Sequence, residues 1–332
     1  MKKILSLLLC LAMLLTLGLT AMGQAEDGGE LRVSLCIAET LGDLGFYDSA
    51  NEGLKRLEAD YGVIGSVVEC KSDASMYQVA LVEAAEQSDV VVAVGWQFWD
   101  GLTAVVPEMP DTKFIFVDNG LDGVGGNLMS ITYAENEGSF LAGYVAMKLA
   151  QSGVVGVIGG ENSDTINNFV VGYKQGALYA NPEGTVLDPV YTDDYEAPDK
   201  GKEAALSLYS QGADVVYAVA GKTGLGVFEA AQEQGKYAVG VDSDQKYINP
   251  DVIICSMLKR VGDSVYDVIS NYLEDSVFEG GTIWNADMSS GLVGLGYGDD
   301  TMTQQVSDEL KAEVDALAEK IIAGEIVVES TR

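Results

Sequence analysis

The sequence contains no histidine, few cysteines and few basic residues, and each shortage excludes a class of function. Without histidine, the chain cannot use imidazole as a general acid or base, build a Ser-His-Asp triad or bind a metal through imidazole. Lysine and arginine number 19 against 51 aspartates and glutamates, which gives a formal net charge of −32. Nucleic acids and anionic membranes both need a basic face on a protein partner, so neither is an expected partner.

The cysteines do not form the pattern of a disulfide framework. Cys10 lies in an N-terminal apolar run, and the remaining three, Cys36, Cys70 and Cys255, are an odd number at wide spacing. Cys36 and Cys70 fall in two predicted strands that would be neighbours, so a bridge between them is one interpretation. We favour buried free thiols, because cysteine packs well as a small hydrophobe.

Residues 1–23 have the pattern of an export signal. Two lysines precede an apolar run, and Ala21 and Gly23 supply the small residues of a signal-peptidase site. No later apolar run is longer, so we expect an extracytoplasmic mature chain, with an uncleaved, anchoring signal as the alternative. Gln24 stands where a lipid-accepting cysteine would be expected. We therefore predict a mature N-terminus near Gln24 without lipid, and the sequence leaves open how the protein is retained at the membrane.

From Leu31 onward, short β-branched runs alternate with longer amphipathic stretches. The first cycles are LRVSLCIA, SANEGLKRLEADY, GSVVEC, ASMYQVALVEAAEQ and DVVVAVG, and the pattern restarts after the helix-like EGSFLAGYVAMKLA. This alternation predicts an α/β protein with doubly wound parallel sheets. Two such lobes in one exported chain suggest a ligand cleft between them. Near the C-terminus, EIVV is expected to form a short strand.

The stretch from Asp214 to Gln245 predicts one βαβ unit with a glycine loop after its first strand and Asp242 at the end of its second. Both features would lie at the carboxyl edge of the sheet, where such sheets bind ligands. The loop contains GKT, but a P-loop needs a glycine five positions before Gly221, and Val216 stands there. We therefore expect a site that offers backbone N–H groups and a carboxylate to a polar, uncharged ligand.

Two further loops carry residues suited to ligand binding. Glu39, Asp43 and Phe46 follow the first predicted strand, and helix capping and turn formation by Asp43 is the structural alternative. After the third strand, GWQFWDG places Trp96 among other aromatic residues, some of which are expected in the core. An aromatic face with carboxylate acceptors suits a neutral heterocycle.

Several motifs, in order along the chain, resemble the basic membrane protein family: D-x-G-F, G-x-x-F-x-D, EGSFLAGY, AGxTGLGVFEAA, GVDSDQ and the S-x-x-K of SMLKR. Its members are substrate-binding components of ABC transporters, commonly for purine nucleosides. The resemblance implies a type I periplasmic-binding-protein fold, in which two doubly wound parallel-sheet lobes are joined by three crossovers around a ligand cleft. We expect an N-terminal lobe of residues 30–134 plus about 256–290, and a C-terminal lobe of 135–255 plus about 291–332.

The resemblance also implies roles for particular residues. Phe46 would stack on the base, and Glu39 and Asp118 would contact the nucleoside. Asp242 and Lys259 would hold the ribose hydroxyls, with a surface salt bridge between these two as the alternative. The complete predicted ligand-binding set is Glu39, Asp43, Phe46, Trp96, Asp118, Phe169, Tyr217, Gly221, Asp242 and Lys259. At the base-recognition end, Tyr47 replaces the family's asparagine and Glu39 replaces an aspartate.

The leading hypothesis is a non-catalytic, exported solute-binding protein that captures a nucleoside, with a purine base favoured, and delivers it to a membrane permease. We expect a monomer without metal or cofactor. A receptor for another small polar solute such as a sugar, in binding or signalling, is the alternative. An exported nucleoside hydrolase using carboxylates such as Asp242 and Asp244 is a third, weaker hypothesis.

Overall fold

The computed structural model describes residues 30–331, in which two sheets are each covered by helices. The predicted export signal lies outside the described residues. Six strands form the first sheet, in which β1 to β5 and then β12 are Arg32–Ile37, Ile64–Glu69, Val90–Val94, Lys113–Val117, Leu128–Tyr133 and Thr282–Ala286. They lie in the spatial order β12-β5-β4-β3-β1-β2, and every pair is parallel.

The second sheet has seven strands. In chain order, β6 to β11 and β13 are Val154–Gly159, Thr185–Val186, Val190–Tyr191, Val215–Val219, Tyr237–Asp242, Ile253–Lys259 and Val293–Gly296. The main order is β13-β11-β10-β9-β6-β7, with the short β8 also paired to β6. The β13 strand runs antiparallel to β11, whereas the sequence pattern had predicted parallel sheets throughout.

Nine α-helices cover the two sheets within residues 30–331. In chain order, α1 to α9 are Phe46–Tyr61, Tyr77–Gln87, Trp99–Val105, Glu135–Leu149, Asp164–Ala180, Pro198–Ser210, Leu225–Gln234, Val261–Asp275 and Asp308–Ile322. Short 3-10 helices are Trp96–Phe98, Val106–Glu108, Gly221–Gly224, Gln245–Ile248 and Met288–Ser290. The central strands are apolar throughout because both faces are covered: all five residues of β3 and of β9 are buried.

Helices α4 and α5 pack unusually closely, which explains the small residues in EGSFLAGYVAMKLA. A Cβ at Gly176 would lie 1.8 Å from the carbonyl oxygen of Phe140, and one at Gly143 would lie 2.0 Å from that of Tyr173. Since no side chain fits at these two positions, glycine lets the helix backbones touch. The tight contact fixes α5, which carries Phe169 towards the cleft.

The chain passes between the two sheets three times, after β5, after β11 and after β12. The predicted α/β fold with two doubly wound lobes and three crossovers is therefore confirmed. We propose lobe boundaries near residues 134 and 260 and within 287–292. The second boundary moves from 256 to about 260 because all of β11 lies in the second sheet, and α8, which follows it, packs against α1.

Two smaller sequence predictions have different outcomes. The expected strand at EIVV is wrong, since residues 325–328 carry no strand; they follow α9 as irregular chain. The preference for free thiols is confirmed, because Cys36, Cys70 and Cys255 are buried and unbridged. Cys36 and Cys70 do lie on the neighbouring strand β1 and just beyond β2, but Cys36 pairs in register with Val68.

Candidate ligand-binding site

The carboxyl ends of strands from both sheets face a common cleft pocket. From the first sheet, Gly95 follows β3 and Asp118 follows β4, while from the second, Asp242 and Lys259 end β10 and β11. The edge of a doubly wound sheet is where such folds bind ligands. The pocket encloses about 620 Å³ of empty space, including the solvent at its mouth.

Eight of the ten predicted ligand-binding residues line this pocket. They are Asp43, Phe46, Trp96, Asp118, Phe169, Gly221, Asp242 and Lys259. The other two, Glu39 and Tyr217, do not. Glu39 lies behind the pocket wall, in contact with the pocket residue Gln97.

Tyr217 belongs to the core of the second lobe. Its side chain is fully buried, its hydroxyl lies 3.2 Å from Ser139 Oγ, and its ring packs against Tyr173 at a centroid distance of 5.1 Å. The sequence pattern of β9 could not show whether Tyr217 faces the core or the ligand, because the strand is buried on both faces and lacks an alternation of polar and apolar residues.

A buried lysine lies between two carboxylates at one end of the pocket. Lys259 Nζ donates to Asp118 Oδ1 at 2.7 Å and lies 3.6 Å from Asp242 Oδ1. Lys259 is 3% exposed and Asp242 is 8% exposed, so their proximity is not the surface salt bridge considered as an alternative. Asp242 Oδ1 has no hydrogen-bond partner. This oxygen faces the ammonium group of Lys259 and remains able to accept a hydrogen bond from a ligand.

Aromatic rings surround the same ammonium group. Lys259 Nζ lies 4.4 Å from the centroid of the Phe46 ring, 5.1 Å from that of Phe169 and 5.6 Å from that of Tyr133. These distances are within the range of cation–π attraction. The rings therefore help to hold the charge while leaving apolar faces beside it.

The electrostatics of the cluster favour a charged lysine and raise the pKa of Asp242. Burial raises the pKa of Asp242 to about 6, with the Lys259 charge opposing and the Asp118 charge adding to the shift. Burial alone would lower the pKa of Lys259, but the carboxylates of Asp118, Asp242 and Glu135 raise it above its ordinary value. The lysine therefore stays charged at all physiological pH values, and Asp242 ionises near neutrality.

Both carboxylates stand on strained backbone. Asp118 has φ of 82° and Asp242 has φ of 65°, in the left-handed region that non-glycine residues adopt at a cost of about 1 to 3 kcal/mol. The chain turns sharply there, directly after β4 and at the end of β10. Such strain persists only where surrounding structure fixes it, and it aims the two carboxylates into the pocket rather than along their strands.

Asp43 serves mainly as the cap of α1. Its carboxylate accepts the backbone N–H groups of Gly45 at 3.1 Å, Tyr47 at 2.9 Å and Asp48 at 3.1 Å. These bonds fix the start of the helix and so place Phe46. Burial raises the pKa of Asp43 to about 7 despite these hydrogen bonds. The structural alternative considered for this residue is thus realised, although the residue also lines the pocket.

The buried Glu39 and the partly buried Gln97 form a hydrogen-bonded pair. Gln97 Nε2 donates to Glu39 Oε1 at 2.8 Å, and Glu39 is 4% exposed. Burial, followed by the charges of Glu196, Glu161 and Asp43, raises the pKa of Glu39 to about 8. Trp96 itself is 38% exposed at the pocket's edge.

Pocket residues that the sequence did not reveal come from the loop before α6 and from the GKT loop. Tyr195 lies over Gly160, where a Cβ would meet its ring at 2.0 Å. Lys222 Nζ donates to Thr40 Oγ1 at 2.7 Å and to Glu196 Oε2 at 2.9 Å. The Lys222 of the GKT motif thus links the two lobes instead of binding phosphate. The motif could have drawn attention to Lys222, but no pattern marks Tyr195 or Glu196.

The described residues contain neither a metal site nor a helix that could span a membrane. Within residues 30–331, no cluster of three or more acidic or cysteine side chains has the arrangement of a metal site. The same part of the chain has no helix with the length and hydropathy needed to cross a membrane.

Comparison with known proteins places the chain in a family. Residues 30–332 match the model described as "ABC transporter substrate-binding protein PnrA-like". Basic membrane protein A of Borreliella burgdorferi is 33% identical, covering 100% of this chain and 97% of its own length, and basic membrane protein B of that species is 33% identical over 85% of each.

Solved structures agree on the fold. An ABC transporter solute-binding protein from Aeropyrum pernix K1 superposes with a TM-score of 0.81 at 26% identity, covering 90% of this chain and 92% of the other. An ABC transporter solute-binding protein from Conexibacter woesei, with a TM-score of 0.72 at 23% identity over 91% and 99% of the two chains, shares the fold. The chain belongs to the family of PnrA-like ABC transporter substrate-binding proteins.

Proposed function

We propose that this protein captures a purine ribonucleoside outside the cytoplasm, closes its two lobes around it and delivers it to the permease of an ABC transporter. It acts as a monomer and needs no metal or cofactor. Membership of the family shows the role of substrate binding, and the chemistry of the cleft pocket supports a nucleoside as the solute.

The arrangement of Lys259, Asp118 and Asp242 carries the proposal. A vicinal diol offers two hydroxyl donors and several acceptor lone pairs. Asp242, with Oδ1 unpartnered and 3.6 Å from Lys259 Nζ, can accept from both hydroxyls while the ammonium donates to one of them. Hydrogen bonds to charged partners are about twice as strong as neutral ones, particularly in a site that excludes water.

The aromatic residues support a flat base next to the sugar. Phe46 is half-buried at the pocket wall and its ring lies 4.4 Å from Lys259 Nζ. A base that extends from a ribose held at Lys259 would therefore meet this ring. Phe169 lies on the other lobe beside the same ammonium. Closing the lobes would bring both rings onto the ligand and remove its apolar faces from water.

The carboxylates do not favour the hydrolase hypothesis. Asp244 accepts the backbone N–H of Lys246 at 3.2 Å and that of Gly298 at 2.7 Å, so both its oxygens are engaged in holding loops. Asp242 faces an ammonium group at 3.6 Å, which stabilises the carboxylate as an acceptor more than as a base. The proposal therefore involves binding without bond cleavage.

The test is titration of the purified, signal-free protein with inosine, guanosine and adenosine, beside their free bases and ribose. We expect at least one nucleoside to bind with a dissociation constant of about 1 µM or lower, which corresponds to about −8 kcal/mol, and to bind more tightly than its base or ribose alone. Tight binding of a sugar without any nucleoside binding would favour the solute-receptor alternative. Release of free base during incubation would favour the hydrolase.

A further inference from the structure

A second compartment adjoins the cleft pocket and is acidic. Trp96, Gln97 and Tyr195 line both it and the pocket, so the two spaces are adjacent. We call it the acidic compartment, after the five carboxylate residues that line it: Glu39, Asp100, Glu161, Asp193 and Asp194. Its empty space is about 1250 Å³, including open solvent, which is enough for a ligand substituent.

Strand order places this compartment at the end of the site opposite Lys259. In the first sheet β4, β3 and β1 are neighbours in that order, and they are followed by Asp118, Gln97 and Glu39, respectively. In the second sheet β11-β10-β9-β6 runs from Lys259 to Glu161, which follows β6. Neighbouring strands lie about 4.8 Å apart, so β4 and β1 are separated by roughly 10 Å. A nucleoside held by its ribose at Lys259 would direct the far edge of its base towards the acidic compartment.

The walls of the acidic compartment suit a cation. No lysine or arginine among the described residues lines it. Within the same part of the chain, the one ion pair of a lining carboxylate joins Asp194 to the largely exposed Lys200 at 2.9 Å. The side chains of Tyr77, Trp96 and Tyr195 supply aromatic surface. Carboxylates combined with aromatic faces attract ammonium groups through charge and through cation–π interaction.

Two buried acceptors in this region lack hydrogen-bond partners. Glu39 Oε2 and Gln97 Oε1 are both shielded from solvent and unpartnered. A buried polar atom without a hydrogen-bond partner destabilises the folded protein. Surface acids can be explained by solubility, but Glu39 is 4% exposed and cannot serve that purpose. Both oxygens can accept a hydrogen bond from a ligand, and the surrounding carboxylates favour a positively charged donor group.

We propose that the acidic compartment is a subsite for a positively charged substituent on the ligand, such as an ammonium group carried by the base of a nucleoside. The inference rests on the proposed function, because the clamp at Lys259 is what directs the base towards it. An ammonium group has three N–H donors. Two of them would satisfy Glu39 Oε2 and Gln97 Oε1. The charge would be balanced by Glu161 and by Glu39, whose carboxyl group would ionise as the cation binds.

The experiment compares charged ligands with uncharged ligands of the same shape. The probes are adenosine, adenosine carrying a 2-aminoethyl group at N6 or at C2, and the N-acetylated form of each. Calorimetric titration of the wild type at neutral pH should show at least one amine binding ten or more times more tightly than its acetylated form. Glu161→Gln should reduce that ratio at least threefold and leave the affinity for plain adenosine unchanged.

The matched control is Glu319→Gln, which removes one charge from the exposed surface of α9 and should leave the ratio unchanged. If both amines bind within twofold of their acetylated forms while adenosine binds well, the subsite is overturned and the proposed function stands. An equal loss of preference in Glu161→Gln and Glu319→Gln would also overturn it, because net charge alone would then explain the effect. If no nucleoside binds, plain or substituted, both proposals fail.

Discussion

Asp242 gives the binding site a pH dependence that can be predicted with its sign. Its pKa is about 6, above the ordinary value of 3.8, chiefly because it is buried. The ionised carboxylate is the form that accepts two ligand hydroxyls, so affinity should be full above pH 7. It should fall as the pH drops through 6, approaching tenfold per pH unit below that value. Titration with a ribonucleoside between pH 5 and pH 8 measures this.

The Asp242→Asn variant isolates the contribution of this residue, since Glu39 and Asp43 also have raised pKa values, of about 8 and 7. We expect the variant to bind weakly and to lose the steep part of the curve below pH 6. A slope that persists unchanged in Asp242→Asn would assign the titration to another carboxyl group and remove this residue from the account.

Lys259 should stabilise the fold as well as the ligand. Replacing it by methionine leaves Asp118 and Asp242 buried beside a neutral side chain, and breaking a buried ion pair in this way costs about 3 to 5 kcal/mol. We expect Lys259→Met to lower the free energy of unfolding by an amount of that order near neutral pH, and by less at pH 5, where Asp242 takes up a proton. Urea denaturation at the two pH values checks both expectations.

The control for this change is Lys148→Met, because Lys148 pairs with Glu313 at 2.9 Å on the surface, with side chains 36% and 49% exposed. Exposed pairs contribute about 0 to 1 kcal/mol. Equal losses for Lys259→Met and Lys148→Met would mean that the buried cluster has no special weight in the fold.

At the scale of single residues, the sequence predicts a ligand-binding residue best when a charged side chain stands at the end of an apolar strand. Asp118, Asp242 and Lys259 each end or follow an apolar strand, where a charged side chain has no packing role. Tyr195 and Glu196 were missed because they come from a loop whose position depends on distant contacts, such as the hydrogen bonds that Thr40 donates to the Glu196 carboxylate. Such contacts leave no periodicity in the sequence.

At the scale of structural elements, two loops of the second lobe, the loop after β9 and the loop before α6, contact the first lobe together. Lys222 Nζ contacts Thr40 Oγ1 at 2.7 Å and the Leu41 carbonyl at 3.4 Å, while Glu196 Oε2 accepts from Thr40 Oγ1 at 2.9 Å. Thr40 and Leu41 follow β1 in the first lobe, whereas Lys222 and Glu196 belong to the second. These contacts therefore cross the cleft from one lobe to the other.

Removing this link should speed ligand release. We expect Lys222→Ala to raise the dissociation rate of a bound nucleoside severalfold, to change the association rate little and to leave the unfolding temperature of the free protein nearly unchanged. Stopped-flow measurement of both rates tests it. Lys202→Ala is the control, since Lys202 pairs with Glu233 within the second lobe at 2.6 Å. A dissociation rate that rises equally in both variants would contradict the link.

Strands and helices were largely predictable because apolar runs and amphipathic stretches alternate so regularly. The antiparallel β13 was not, since strand direction depends on the path of the chain across the hinge rather than on its own four residues. The EIVV segment shows the reverse error. It has the composition of a strand, but it follows the end of α9 and pairs with no sheet. A high β-propensity does not produce a strand where no neighbouring strand is available for pairing.

At the scale of the whole molecule, the two lobes, joined by three crossovers, place the pocket between the edges of the two sheets. The lobes supply opposite walls: Phe46 and Asp118 come from the first, and Asp242, Lys259 and Phe169 from the second. The family establishes substrate binding. The central claim that goes beyond it is that the charged cluster at Lys259 holds the two hydroxyls of a ribose.

The most direct measurement of that claim is calorimetric titration of the wild type and Asp242→Ala with a ribonucleoside and with its 2′-deoxy analogue. In the wild type, we expect the riboside to bind at least tenfold more tightly than the deoxyriboside. Asp242→Ala should lose about 2 to 4 kcal/mol of riboside affinity, because buried hydroxyls are left without a charged acceptor, and should no longer distinguish the two ligands. The exposed change Asp275→Ala should alter neither value. An unchanged ratio of the two affinities in Asp242→Ala would contradict the account.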